Sequence, residues 1–291
     1  MHTLSAIAES FRIKQWVKNL FVYAGIIFAK RAFDLQLLLS VTGAFFVLCL
    51  VSSATYIIND LVDRKRDQHH PVKCKRPLAS GRLAPGTALT AALLTLAAAL
   101  ALAALLHPLL LLVAVSYFLL QLLYSFVLKH IVFLDVFAIA VSFILRVVAG
   151  AVVAGIFISS WLIICTLLIS VFLGLGKRRH ELHVLKDDAH RHRKVLQYYS
   201  PYLLDNVMNI TAATTIVCYI LYTTARETID KFQTTGLIFT VPFVMYGIFR
   251  YLYLVHMKEQ GGSPENMLLE DIPMLLNVAL WIASAAVLIY F

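Results

Sequence analysis

Long apolar runs alternate with short polar segments along the whole chain, a pattern typical of a polytopic membrane protein. A helix needs about 20 apolar residues to cross the hydrocarbon core of a bilayer. The pattern predicts an all-α fold with about nine transmembrane helices in a single domain covering residues 1–291. The predicted spans are Val17–Ala29, Leu37–Ile58, Thr87–Leu106, Leu109–Leu128, Ile131–Ile156, Trp161–Gly176, Leu203–Ala225, Gly236–His256 and Ile272–Tyr290. The first is the shortest, and Pro242 is expected to kink the eighth.

Composition and charge placement indicate how these spans are oriented. Hydrophobic residues make up 60% of the 291 residues, and the mean hydropathy of +0.81 excludes an ordinary soluble domain. The polar loops 59–87 and 177–202 hold seven Lys or Arg residues each, out of 25 in the chain. Because positive charge is retained on the cytoplasmic side, both loops are predicted to face the cytoplasm from the inner or plasma membrane. The N-terminus is then inside and the C-terminus outside.

Two kinds of site find no support in the sequence. The chain has no DNA- or RNA-binding motif and its aromatic residues lie mainly in the spans, so no nucleic-acid partner is expected. The four cysteines have no metal-ligand spacing, so neither a zinc site nor a disulfide framework is indicated.

An acidic motif follows the second span, where acid should be scarce. At helical spacing Asn59, Asp63 and Asp67 fall on one face, and Asp60 lies beside them. Carboxylates stacked in this way repel each other and require a cation. Oxygen ligands without a cysteine suit Mg²⁺, which commonly binds substrate phosphates as well. The alternative is a solvated helix end with intrahelical pairs between Asp and Arg or Lys.

A basic cluster follows the sixth span in the matching position. Lys177, Arg178 and Glu181 are spaced so that one helix face presents two cations and one acid, and Arg193 lies further along the same loop. Guanidinium groups bind phosphate bidentately, while lysine acts as a point charge. The alternative is a topology signal alone. Acids in one loop and bases in the other favour a Mg²⁺-bound diphosphate ligand.

Further candidates lie in the first polar loop and inside the spans. Lys73, Arg76 and Arg82 belong to a loop with two prolines and are candidate phosphate ligands, or alternatively a solvated basic surface. Ionisable residues within spans are functional candidates by default. Arg146 would either bind a substrate phosphate or hold a neighbouring helix through an ion pair. The remaining candidates near the mouth of this region are Lys18, Tyr124, Lys129 and Asp135.

The acidic motif, Asn59-Asp60-x-x-Asp63-x-x-x-Asp67, resembles the first aspartate-rich motif of the UbiA superfamily of intramembrane prenyltransferases. The resemblance covers essentially the whole chain. It implies helices arranged around a central cavity, a Mg²⁺-bound diphosphate at the cytoplasmic mouth, and a long isoprenoid chain in an apolar groove open to lipid.

The chain departs from the usual family pattern after the sixth span. Most members carry a second aspartate-rich motif there, whereas this chain reads Lys177-Arg178-Arg179-His180-Glu181. The change resembles the decaprenyl-phosphate phosphoribosyltransferase branch. That branch is also similar at Gln15–Asn19, His70–Arg82, Leu175–Leu182 and Ser263–Glu265.

The resemblance implies a Mg²⁺-dependent transfer of 5-phosphoribosyl from phosphoribosyl diphosphate to a polyprenyl phosphate, a reaction of cell-envelope biosynthesis. Asp60, Asp63 and Asp67, with Asn59, would then hold Mg²⁺ and diphosphate. Lys177, Arg178 and Glu181 would hold the sugar phosphate or its hydroxyls. The alternatives are a prenyltransferase acting on an aromatic acceptor and, from another class, a transporter or lipid-binding protein. The sequence leaves open whether the protein forms a homo-oligomer.

Overall fold

The protein is described by a computed structural model that covers residues 2–69, 72–185, 194–258, 261–262 and 264–291, and the secondary structure of these ranges is helical. The chain divides into two compact units, Met1–Ile158 and Ser159–Phe291. Among the described residues, eight helices are long and apolar enough to cross a membrane. The prediction of an all-α polytopic membrane protein is confirmed, and nine spans is an approximate count.

Within the described residues the first unit contains seven α-helices and three 3₁₀ helices. They are α1 (His2–Ser10), α2 (Ala24–Phe28), α3 (Leu35–Val62), α4 (Arg64–Asp67), α5 (Pro85–Leu106), α6 (Pro108–Phe126) and α7 (Leu134–Ala154). A 3₁₀ helix, Ile13–Tyr23, leads directly into α2, and together they form the first segment, residues 13–28.

The first segment differs from the predicted span Val17–Ala29 because most of it is a 3₁₀ helix. It contains 11 residues in 3₁₀ conformation and five in α conformation. A 3₁₀ helix rises about 2.0 Å per residue and an α-helix about 1.5 Å, so the segment reaches roughly 30 Å if it is straight. That length matches the hydrocarbon core, although the segment has too few residues for an ordinary α-helical span.

The core of the first unit forms around α3, which packs against α5, α6, α7 and the first segment. Helix α5 presents four fully buried alanines at spacings of four, seven and four residues, and their small side chains permit close approach of helices. They are Ala88, Ala92, Ala99 and Ala103. Asp34 caps α3 by accepting a hydrogen bond from the Leu37 amide, 3.2 Å away.

The second unit contains six α-helices within the described residues. They are α8 (Ser160–Leu185), α9 (Pro201–Thr224), α10 (Arg226–Phe232), α11 (Val241–Met257), α12 (Pro264–Glu270) and α13 (Ile272–Tyr290). Helix α8 packs on α9, and α11 packs on α13. A 3₁₀ helix at Gly236–Thr240 precedes α11, and Pro242 lies in the first turn of α11. Proline is tolerated at a helix start because the amide hydrogen that it lacks has no partner there. The span thus changes from 3₁₀ to α conformation next to Pro242.

Candidate active site

The acidic motif lies where α3 gives way to α4. Helix α3 continues through Asn59 and Asp60 to Val62, and the backbone leaves the helical range at Asp63 with φ −89° and ψ 2°. This interruption sorts the four side chains into two pairs, Asp60 with Asp67 and Asn59 with Asp63. The Asp63 amide still donates to the Asn59 carbonyl and the Asp67 amide to the Asp63 carbonyl, both at 2.9 Å, so the spacing of four residues continues while the partners of the side chains differ.

Asp60 and Asp67 share one guanidinium. Arg76 Nη1 donates to Asp60 Oδ1 at 2.9 Å and to Asp67 Oδ2 at 2.6 Å. Arg12 donates a further hydrogen bond to the same oxygen of Asp60. Both carboxylates are buried, with 3% and 4% of their surface exposed. Buried carboxylates of this kind are stable only when a cation compensates them.

The environment of Asp67 opposes ionisation in spite of these partners. Burial raises the pKa of the Asp67 carboxyl above its usual range, and the nearby charges of Arg76 and Lys73 act in the opposite direction. The structure thus brings Lys73 and Arg76, both predicted as phosphate ligands, to the acidic motif.

The second pair faces the end of α6. Lys129 Nζ donates to both carboxylate oxygens of Asp63, at 2.9 and 3.0 Å, and Arg66 lies 4.0 Å from the same carboxylate. Ser125 donates to the amide oxygen of Asn59 at 3.1 Å. Lys129 is buried, with 8% of its surface exposed, and Asp63 is its ion-pair partner. Of the mouth residues predicted from sequence, Lys129 is in direct contact with the motif.

Arg12 is a site residue that sequence reasoning missed. It had the features of an interfacial anchor before the first segment, and only its position at a regular spacing before Trp16 and Asn19 hinted at more. The structure places it in the left-handed region, with φ 52° and ψ 51°, paired with Asp60 and 5.0 Å from the centre of the Tyr56 ring. Such a backbone costs roughly 1 kcal/mol or more in a non-glycine residue and is often found at functional sites.

Arg146 binds neutral groups among the described residues rather than forming the expected ion pair. It is 3% exposed and donates to Asn19 Oδ1 at 2.8 Å and to the Tyr117 hydroxyl at 2.8 Å. It also donates to the carbonyl oxygen of Ser142 at 2.7 Å, and its charge lies 4.8 Å from the Phe143 ring centre. Its role in the structure is to join α7, α6 and the first segment.

The other predicted residues of the first unit are placed less centrally. Arg82 is exposed and forms two hydrogen bonds to the Glu9 carboxylate, at 2.7 and 2.9 Å, which ties its loop to α1. Asp135 is fully buried at the start of α7, and Lys18 and Tyr124 are partly buried.

The basic cluster lies at the end of α8 in the second unit. Arg178 is 1% exposed and pairs with Glu181 one turn later, as the sequence predicted. The neighbouring Arg179 donates to Asp205 of α9 at 2.9 Å. Lys177 is partly buried on the same turn. Arg193, also predicted to bind substrate, lies outside the described residues.

The donor set of the acidic motif fits a hard divalent cation. Four side chains carrying oxygen lie within nine residues, and the buried carboxylates already attract positive charge. Within the described ranges, however, no three His, Cys, Asp or Glu side chains are grouped as a metal site. Guanidinium and ammonium groups pair with these carboxylates instead.

Eight apolar helices with buried ionisable clusters near their ends define a polytopic membrane protein with a polar functional site. Residues 19–289 match the sequence model of the UbiA prenyltransferase family. The chain belongs to this family and is therefore a membrane transferase.

Individual relatives agree with the family assignment. The chain is 31% identical to decaprenyl-phosphate phosphoribosyltransferase of Mycobacterium tuberculosis, over 99% of this chain and 95% of that protein. It is equally similar, at 31%, to the protein of the same name from Mycolicibacterium smegmatis, over 99% and 93% of the two chains. A UbiA homologue of Archaeoglobus fulgidus, solved with GPP and Mg²⁺, has the same fold, with a TM-score of 0.73 at 19% identity over 98% and 100% of the chains.

Proposed function

We propose that the protein transfers the 5-phosphoribosyl group of phosphoribosyl diphosphate to the phosphate of a polyprenyl lipid, with Mg²⁺, at the cytoplasmic surface of the cell membrane. The observation that carries the proposal is the full-length similarity to proteins named for this reaction. The pairing of buried acids with Arg and Lys at the end of α3 supports it, because a metal-bound diphosphate needs both kinds of group.

The reaction exchanges one bond at the anomeric carbon. The bond from C1 of ribose to the diphosphate oxygen breaks, a bond from C1 to an oxygen of the lipid phosphate forms, and inorganic diphosphate leaves. The lipid phosphate is already anionic at neutral pH, so no protein nucleophile is required. The cost is the negative charge that develops on the departing diphosphate, and fixed cations stabilise such charge effectively in a site shielded from water.

The chain offers several cations for this task. Arg12 and Arg76 lie at Asp60 and Asp67 and are assigned to the diphosphate, and Lys129 at Asp63 is assigned to binding of substrate phosphate. Asn59, Asp60, Asp63 and Asp67 would hold Mg²⁺, which neutralises the phosphate oxygens when it is bound. In the second unit Lys177, Arg178 and Glu181 are assigned to the sugar phosphate and hydroxyls, on the basis of the sequence pattern.

The test is a reaction with detergent-purified protein, Mg²⁺, phosphoribosyl diphosphate and a polyprenyl phosphate, followed by mass spectrometry of the lipid. We expect a lipid-linked phosphoribose that disappears on addition of EDTA and is not formed from the corresponding polyprenol. A prenylated aromatic acid from a parallel reaction with a prenyl diphosphate, together with no lipid-linked sugar, would instead establish the prenyltransferase alternative.

A further inference from the structure

A cavity of about 790 Å³ opens in the first unit where α3 and α6 end and α5 begins. It lies on the Asp63 side of the acidic motif, and the more buried Asp60 and Asp67 do not line it. Its volume is in the range of small-molecule sites. The lining residues are Leu61, Val62, Asp63, Arg64, Lys65, Arg66, Gln68, Pro85, Ser125, Phe126, Lys129 and His130.

The lining of this cavity is strongly basic. Four Lys or Arg side chains face a single carboxylate, that of Asp63, which already holds Lys129 at 2.9 Å. Lys65 and Arg66 are exposed, so their charge is available to a ligand. An excess of positive charge in a concave site attracts an anion and raises its local concentration.

One wall of the same cavity is apolar and belongs to membrane-spanning helices. Val62 ends α3 and is 43% exposed, while Phe126 ends α6 and is 57% exposed. Both helices are long and apolar enough to cross the bilayer, so these side chains lie where a span reaches the membrane surface. The cavity therefore combines a cationic wall with an apolar wall at the depth of lipid headgroups.

We propose that this cavity binds the phosphate head of the acceptor lipid, with Lys65 and Arg66 as its outer cations and Lys129 as its inner one. The inference rests on the proposed function, which supplies a polyprenyl phosphate as acceptor. A phosphomonoester carries two negative charges on a compact head, and the chain attached to it requires an apolar exit, so both walls are used. Because Asp63 belongs to the cavity and to the acidic motif, a phosphate bound here lies beside the residues assigned to the donor.

Direct binding tests the site without turnover. A short-chain polyprenyl phosphate is titrated into detergent-purified wild-type protein and into the double variant Lys65→Glu/Arg66→Glu. We expect the double variant to bind at least about tenfold more weakly, because each basic residue at a membrane surface contributes substantially to anion attraction. The matched control is Lys75→Glu, which makes one such charge reversal, half the charge change of the double variant, in an exposed residue of the same loop outside the cavity. Equal binding by the double variant would overturn the proposal.

The same titration with other ligands identifies which phosphate compound the cavity binds. The polyprenol without phosphate and inorganic phosphate are both expected to bind far more weakly than the polyprenyl phosphate. Equal binding of inorganic phosphate, or of phosphatidylglycerol, would overturn the acceptor assignment. Thermal melting checks that the double variant is folded. If it is not, the neutral variants Lys65→Gln and Arg66→Gln replace it, with an expected weakening of a few-fold each.

Kinetics separate this inference from the proposed function. In the transfer assay the double variant should raise KM for the lipid phosphate and leave KM for phosphoribosyl diphosphate unchanged. A rise in donor KM instead would assign the cavity to the donor. If lipid-linked product forms and the double variant has the same KM values as wild type, the proposed function is supported and the lipid phosphate site is contradicted. If lipid binding depends on the charge of Lys65 and Arg66 but no product forms, the binding site is supported and the proposed reaction is not.

Discussion

The carboxylates at the end of α3 obtain their cations from distant parts of the sequence. Asp60 pairs with Arg12, 48 residues earlier, and Asp63 pairs with Lys129, 66 residues later. Removing one partner of a buried pair leaves an uncompensated charge and commonly costs 3–5 kcal/mol. Site variants in this protein should therefore be conservative in shape, and each needs a measure of folding beside its activity.

Asp63→Asn tests the metal role most directly. Asparagine keeps the shape and one acceptor oxygen for Lys129 but loses the charge that a divalent cation needs. We expect turnover in the transfer assay to fall by roughly 100-fold or more, with the protein still folded in detergent by its thermal melting. The control is Asp230→Asn, an exposed carboxyl on α10. Near-normal turnover of the Asp63 variant would remove this residue from the magnesium site.

Arg12→Asn tests the charge of Arg12 while preserving its left-handed backbone conformation. Asparagine tolerates the left-handed conformation that Arg12 adopts, so the variant removes the contact with Asp60 with little added strain. We expect KM for phosphoribosyl diphosphate to rise about tenfold or more while the protein remains folded. Lys14→Asn is the matched control, since Lys14 is an exposed cation two residues away. An unchanged donor KM would return Arg12 to the role of interfacial anchor.

At the scale of elements, the first segment is held by polar contacts to α3 and α7. Trp16 donates to Ser53 of α3 at 3.1 Å, and Tyr23 donates to Thr42 of the same helix at 3.0 Å. Asn19 accepts from Arg146 of α7 between these two points. These bonds fix the rotation of the segment and so direct Arg12, at its beginning, toward Asp60. The position of one site residue thus depends on contacts spread along the segment.

Gly150→Ala tests this attachment. A Cβ at Gly150 would collide with the backbone carbonyl of Val22, and two backbones cannot separate without shifting the whole segment. Overpacking of this kind costs about 1–3 kcal/mol, so we expect a lower thermal midpoint and reduced turnover. Gly86→Ala is the matched control, because a Cβ there meets nothing within 4 Å and alanine is the better helix former. A Gly150 variant as stable as wild type would contradict the attachment described here.

For the whole molecule, apolar length predicted the spans well because it depends on local composition alone. Leu109–Leu128, for example, corresponds to α6 with its following turn. The sequence also singled out Arg76, Lys129 and the Arg178–Glu181 pair. It could not assign partners within the acidic motif, because those depend on the interruption at Asp63 and on contacts with residues far along the chain. The 3₁₀ conformation of the first segment was likewise hidden, since its residues are apolar enough for an α-helix.

The transmembrane topology of the protein depends on whether this first segment crosses the bilayer. Its length of roughly 30 Å matches the hydrocarbon core, so we predict that it crosses and that, with the eight longer helices of the described residues, it makes nine crossings. With the basic loops 59–87 and 177–202 inside, the N-terminus is then predicted to be inside and Phe291 outside. We expect a phosphatase that is active only outside the cell to report activity when fused after Phe291 and none when fused before Met1. Activity of both fusions would mean that the segment does not cross the membrane, because α3 leads from the outside to the basic loop 59–87 inside and an uncrossed first segment leaves the N-terminus outside.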